Sequence, residues 1–136
     1  MKADAKTEAA VLAAMNKFTA AYQQRDIEGL MGILSPDDDV FLFGTGIDEK
    51  WTGQDEFRFQ TEALAFSLAW HKISAAGSVA WVAAEGLGKG KAGGQEFEFP
   101  MRMTAVLEQR GDKWLLAQFQ ISLPAPGQEE GNSVPV

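Results

Sequence analysis

The sequence predicts an α+β domain in which helices come first and an antiparallel meander follows, and three observations carry that expectation. Val11, Met15, Phe18 and Tyr22 recur at the four-three-four spacing of one helical face, among alanines that favour helix. Beyond about Ala69 the chain reads as sheet, with strict alternation along its closing hairpin. Gly77 and Gly111 stand between strand-like runs with polar neighbours, which is turn chemistry. Helices gathered before such a meander must cover one face of the sheet.

The first helix is expected from about Asp4 to Gln24. Asp26 can cap a second, Ile27 to Leu34, with Ile27, Leu30, Ile33 and Leu34 toward the core, and Ser35-Pro36 stops it. Asp37-Asp38-Asp39 reads as a solvated turn, because no spaced carboxylates follow as a calcium site requires. Val40 to Phe43 forms a short buried strand ended by Gly44-Thr45-Gly46, which lacks the Gly-Lys-Ser/Thr of a phosphate loop.

After Trp51-Thr52-Gly53 a third helix is expected from Gln54 to Ser67. Asp55 and Glu56 in its first turn suit the positive end of the helix dipole, Phe57 and Leu64 lie on its apolar side, and Phe59 and Phe66 broaden that band. Strands follow at Trp70 to Ala75 and Val79 to Leu87. Gly88 to Gly94 then makes a loose connection to the hairpin spanning about Gln95 to Leu123. Residues 4–124 are expected to form one domain and residues 125–136, rich in Pro, Gly and polar side chains, a flexible tail.

A chain of 136 residues suffices for one core without staples. Its net charge of −7 opposes binding to nucleic acid or an anionic membrane surface, so neither is expected as a partner. Cysteine is absent, which excludes disulfides and thiolate chemistry, and a single histidine argues against a zinc cluster. No metal or cofactor is expected. The opening stretch has no apolar run long enough for a signal peptide or a membrane span, so a cytoplasmic location is the default expectation.

The closing hairpin separates into two faces if its loop is the three residues Arg110-Gly111-Asp112, pairing Gln109 with Lys113. Met101, Met103, Ala105 and Leu107 then share the helix-covered face with Leu115, Ala117, Phe119 and Ile121. Arg102, Thr104, Val106 and Glu108 share the other with Trp114, Leu116, Gln118, Gln120 and Ser122. A face mixing Trp, Arg and amides suits a protein interface, so Arg102, Thr104, Trp114, Gln118 and Gln120 are the expected contacts of a homodimer. Arg102 as an anion binder facing a cavity is the alternative.

The ordering AYQQRDIEGLMGIL, DDDVFLFGTG, WTGQDEFRF and RMTAVLEQRGDKWLLAQFQIS resembles the SnoaL-like family of the nuclear transport factor two-like superfamily over about residues 8–124. It is also similar to the association domain of calcium/calmodulin-dependent kinase II, a hub without enzymatic activity. The resemblance implies a cone-shaped, cystatin-like fold: a curved antiparallel sheet wrapped around the N-terminal helices, open at one end into a pocket and commonly dimeric through its outer face. It does not imply one function. Ketosteroid isomerases of this superfamily place a tyrosine acid where this chain has Phe18 and an aspartate base where it has Phe43, and a phenyl ring can do neither job. The hub's pocket arginines correspond to Ala83, Ala105 and Ile121.

On that fold the cavity wall is expected to hold Phe18, Phe43, Trp81, Met103 and Phe119, with Tyr22 as a polar handle. Apolar cavities with few polar groups are the usual form of a small-molecule site. His71 and Glu85 on neighbouring strands are the candidate acid–base pair, if a three-residue turn sets His71 opposite Ala83. Asp48 and Glu49 would border the mouth beside Trp51. The expected function is binding or transforming a small apolar molecule, the alternative a non-catalytic oligomerisation module.

Overall fold

The computed structural model describes residues 1–58 and 64–134, together with the backbone but not the side chains of Leu64 and Ala92. Helix α1, Ala5–Gln24, starts where the Asp4 carboxylate accepts a hydrogen bond from the Thr7 N–H at 2.8 Å, a bond that holds the Asp4 carboxyl below its usual range. It ends at Arg25 in the left-handed conformation, φ 55°. Asp26 caps α2, Ile27–Ile33, by accepting from the Gly29 N–H at 3.0 Å. Strand β1, Phe41–Phe43, and strand β2, Lys50–Thr52, form a small hairpin before α3, Gly53–Arg58.

Four long strands then meander: β3, Leu64–Ala76; β4, Val79–Ala92; β5, Gln95–Arg110; and β6, Lys113–Ser122. The six-stranded sheet has the order β2-β1-β6-β5-β4-β3. Every pairing is antiparallel except β1 with β6, where Leu42 lies beside Phe119 in a parallel pair. The sheet is therefore mixed, because the chain returns to β1's edge in the same direction. At the other edge residues 1–3 lie along β3, with Ala3 N–H donating to Ile73 O and Ala75 N–H to Met1 O. Among the described residues no helix is long and apolar enough to cross a membrane.

The core lies between the α1 stripe and the inner sheet face. Val11, Met15 and Phe18 are buried against Ile73, Val82, Ala84, Met103, Ala105 and Phe119. Burying each large apolar side chain stabilises the fold by about 1.5–3 kcal/mol. Leu34 joins β6 through a bridge to Leu116, and Ser35 is fastened twice, its N–H to Leu116 O and its hydroxyl to Glu108 Oε1 at 2.8 Å. Arg110 closes this corner by pairing with Asp37 and with Glu108, and the Asp37 hydrogen bond raises the guanidinium pKa further.

The closing hairpin departs from the three-residue loop. Its turn is Gly111-Asp112, with Arg110 paired to Lys113 and Gly111 at φ 64°, the conformation a two-residue hairpin needs. Near the turn Trp114 and Leu116 are therefore buried, while Leu115 and Ala117 point away. The register shifts between Val106 and Leu107: Leu107 pairs with Leu116 and Val106 with Gln118, leaving Ala117 as the extra residue of a bulge. Beyond the bulge the faces are as alternation from Met101 to Ala105 and from Gln118 to Ser122 predicts.

Two other segments differ. The third helix stops at Arg58, and Leu64 to Ser67, expected as its end, begin β3; residues 59–63 of that expected helix lie outside the described residues. Gly88 to Ala92 continue β4 and only Gly93-Gly94 turn. These strand glycines answer to close neighbours: a Cβ at Gly86 would lie 1.9 Å from Ser67 O, and one at Gly88 would lie 2.3 Å from the Phe99 ring.

The register makes Trp114 a core residue. Trp114→Ala is expected to lower unfolding free energy in urea by about 3–5 kcal/mol; a loss below about 1 kcal/mol would mean that the side chain lies on the outer face.

Candidate functional site

At the end of the sheet where β1 meets β6, the C-terminal half of α1 does not fill the space, and aromatic side chains from five elements converge there. Phe18 and Tyr22 come from α1, Phe57 from α3, Phe66 from β3, Trp51 from β2 and Phe119 from β6; Leu42 and Ile121 complete the wall, and Phe43 borders it from β1. Phe18 is the hub, its ring centroid 5.1 Å from Phe119, 6.1 Å from Tyr22 and 6.3 Å from Phe57. Tyr22 also meets Phe66 at 5.4 Å, and Trp51 meets Phe57 edge-on at 5.4 Å. Such separations are those of favourable tilted and edge-to-face pairs.

The turn between β1 and β2 supplies the mouth through Gly44, Thr45 and Glu49. Glu49 Oε1 accepts from the Gly46 N–H at 2.6 Å, and Gly44 N–H donates to Glu49 O at 2.9 Å, so the carboxylate folds back across its own turn. The space between the walls is about 360 Å³ counting the mouth, but the part into which a water's centre fits is about 20 Å³, room for about one water. The cleft is thus formed but closed down by its own side chains. Phe43 borders the cleft, but its ring, 41% exposed, turns to the outer face of the sheet beside Phe41, because β1 pairs Leu42 and not Phe43 with Phe119.

Of the expected wall, Phe18, Tyr22, Phe43 and Phe119 line the cleft. Met103 is buried in the core, paired with Ile121 and Ala84, and does not line it. Trp81 is on the opposite side of the sheet, where it is exposed beside Lys72, Ser74, Thr104, Val106 and Gln118 around an open depression of about 400 Å³. The reason is register: β4 pairs Val82 with Ala105 and Ala84 with Met103 on the inner face, which turns Trp81, Ala83 and Glu85 outward with Val106, Thr104 and Arg102.

The same register separates the candidate acid–base pair. His71 lies opposite buried Ala84 on the inner side, its Nε2 3.5 Å from Glu8 Oε1 on α1, whereas Glu85 lies on the outer side across from Arg102. His71 and Glu85 do not meet, and neither lines the cleft. On the outer face Arg102, Thr104, Gln118 and Gln120 are exposed as expected, while Trp114 is buried on the inner side.

Sequence reasoning missed Trp51, Phe57, Phe66 and Ile121 as cleft residues. Phe57 and Phe66 were visible as an apolar band, but a single long helix cannot show that they approach Tyr22 from two separate elements. Trp51 carried a signal, since it follows the mouth acids directly.

A cystatin-like cone with an aromatic cleft at its open end defines the class of protein. The chain belongs to the SnoaL-like domain family, which its residues 11–126 match. None of the curated proteins matches it in sequence. Similar solved structures share the fold. A candidate calcium/calmodulin dependent protein kinase II association domain from Xanthomonas campestris is 19% identical with a TM-score of 0.73, covering 85% of this chain and 86% of its own. A candidate dehydratase of the NTF2-like family from Streptomyces avermitilis is 21% identical with a TM-score of 0.72, covering 85% and 95%. A cystatin-like protein of unknown function from Nostoc punctiforme is 15% identical with a TM-score of 0.74, covering 93% and 97%.

Because Glu85 faces away from the cleft, Glu85→Gln is expected to leave the affinity for any cleft ligand within about twofold, as for surface changes generally. A tenfold or greater loss, read by isothermal titration, would return Glu85 to the site.

Proposed function

We propose that this chain is a binding protein for a small, ring-containing apolar molecule, held in the aromatic cleft between α1, the β1–β2 hairpin and β6. The observation that carries this is the wall itself: six aromatic rings converge on one opening, with Tyr22, Thr45 and Glu49 as its polar side chains. Apolar concavities with a few convergent polar groups are what small-molecule sites look like. Binding is favoured over transformation because Phe18 and Phe43 cannot move protons and His71 and Glu85 stand elsewhere.

The ligand enters by displacing the lip, since the present room suits only about one water. Ile47 and Asp48 at the tip of that lip are exposed. A thermal-shift screen with uncharged ring compounds, followed by soaking, is expected to raise Tm and show density between Trp51, Phe57 and Phe119. No rise with any ring compound and no density there would overturn the proposal.

A second role, homodimerisation through the outer sheet face, is supported by a different observation. Trp81 stands 38% exposed at the centre of the open depression, flanked by Val106 and by the polar Thr104 and Gln118, while Arg102 and Gln120 extend the same face. An exposed Trp ringed by hydrogen-bonding side chains is the composition of an interface centre. The likeness in fold to the candidate association domain is consistent with it. Sedimentation should show a dimer that Trp81→Glu converts to a folded monomer; a monomeric wild type at 100-micromolar order, ~10⁻⁴ M, would sink this role, since standard interfaces are far tighter.

A further inference from the structure

We infer that the cleft selects an organic cation, a ring or alkyl body carrying an ammonium group, over neutral and anionic molecules of the same shape. This assignment rests on the cleft being a ligand site and goes beyond it by naming the ligand's charge.

Three observations converge. Among the described residues lining the cleft, the Glu49 carboxylate is the one ionisable group at the mouth, and no Lys, Arg or His lines the wall. Lys50, the cross-strand neighbour of Phe43, is exposed and does not line the cleft. Trp51, two residues beyond Glu49 and on the inner side of β2 beside Leu42, presents its π surface to the same cleft, which Tyr22 also lines. Aromatic faces attract ammonium groups through their quadrupole, most strongly Trp, and aromatic cages are the usual receptors of quaternary ammonium. An anion would meet that same carboxylate and the negative π faces with no donor cluster to receive it.

The Glu49 carboxylate is also positioned rather than free to swing out to solvent. One oxygen accepts the Gly46 N–H at 2.6 Å, and the side chain packs so closely on its turn that a Cβ at Gly44 would lie 2.7 Å from Oε2. Carboxylates that already accept one backbone hydrogen bond keep lone pairs for a second partner. An ammonium seated against Trp51 would therefore meet a preset anion rather than order one.

The test uses the whole chain and three probes of one shape: phenyltrimethylammonium, its uncharged isostere tert-butylbenzene, and benzoate, followed by ligand-observed NMR at about 0.15 M salt, where diffuse attraction to the acidic surface is screened. The cation is expected to bind about tenfold more tightly than the isostere, and benzoate not at all. Glu49→Gln, whose amide oxygen can still accept the Gly46 N–H, should bring cation and isostere to similar affinity. Thr45→Trp, at the exposed lip, should weaken both by blocking entry. Equal binding of cation and isostere by the wild type would overturn the charge assignment while leaving the cleft a ligand site. Preference for benzoate, or cation binding unaffected by both variants, would also overturn it. No binding of any probe, together with a silent ring-compound screen, would remove the ligand site itself.

Discussion

Both ends of β6 must face the same core, and the bulge opposite Val106 and Leu107 is what makes that possible. Trp114 and Leu116 are even-numbered and Phe119 and Ile121 odd-numbered, so a regular strand could bury only one pair. Leaving two large apolar side chains in water forgoes about 3–6 kcal/mol, a large part of a small domain's whole stability. One extra residue at Ala117 restores both pairs to the inside at the loss of little more than a ladder hydrogen bond. The two-residue turn and the bulge are thus one device, since each shifts the register by one and together they cancel.

That device divides the hairpin into two functional halves. On the turn side, buried Trp114 and Leu116 anchor the bridge from Leu34, and the Ser35, Glu108, Arg110 and Asp37 contacts fasten the chain that leads into β1. On the far side, Phe119 and Ile121 become the floor of the cleft and Gln118 and Gln120 the outer face. Because β1 pairs in parallel with Gln118 to Gln120, the position of the cleft's lip is set by the bulge as well. A slip of one residue there would carry Leu42 and Phe119 to opposite sides of the sheet.

Much of this was legible in the residues. The α1 stripe, the two aspartate caps, the helix stop at Ser35-Pro36 and the order of elements all follow from local rules, and the aromatic character of the cleft followed from Phe18, Tyr22, Phe43 and Phe119. The register did not, because period-two alternation assumes that no residue is skipped. The spacing of Trp114, Leu116, Phe119 and Ile121, two then three then two, is itself the mark of a bulge, and a second irregularity at Leu68 and Trp70 hides in the same way. His71 parts from Glu85 because the Gly77-Ser78 turn holds two residues rather than three, and Trp81 and Glu85 lie outward because β4 pairs them with Val106 and Arg102 of the outer face. The β4 glycines mislead locally as well. Gly88 and Gly90 read as part of a loop, whereas at Gly88 the ring of Phe99 occupies the place a side chain would take.

The closed state of the cleft bears on what kind of ligand it can serve. Six rings packed at 5–6 Å leave almost no free space, so any ligand must part the aromatic wall at its mouth, and the work of parting it is subtracted from its affinity. A molecule that only replaces ring–ring contacts with ring–ligand contacts gains little beyond what the closed wall already has. Net affinity then depends on an interaction the closed cleft lacks. Charge facing the lip is such an interaction, because the Glu49 carboxylate and the π face of Trp51 have no cationic side chain seated between them among the described residues of the wall. A filled cone therefore favours ligands recognised by their charged end at the mouth rather than by bulk in the interior.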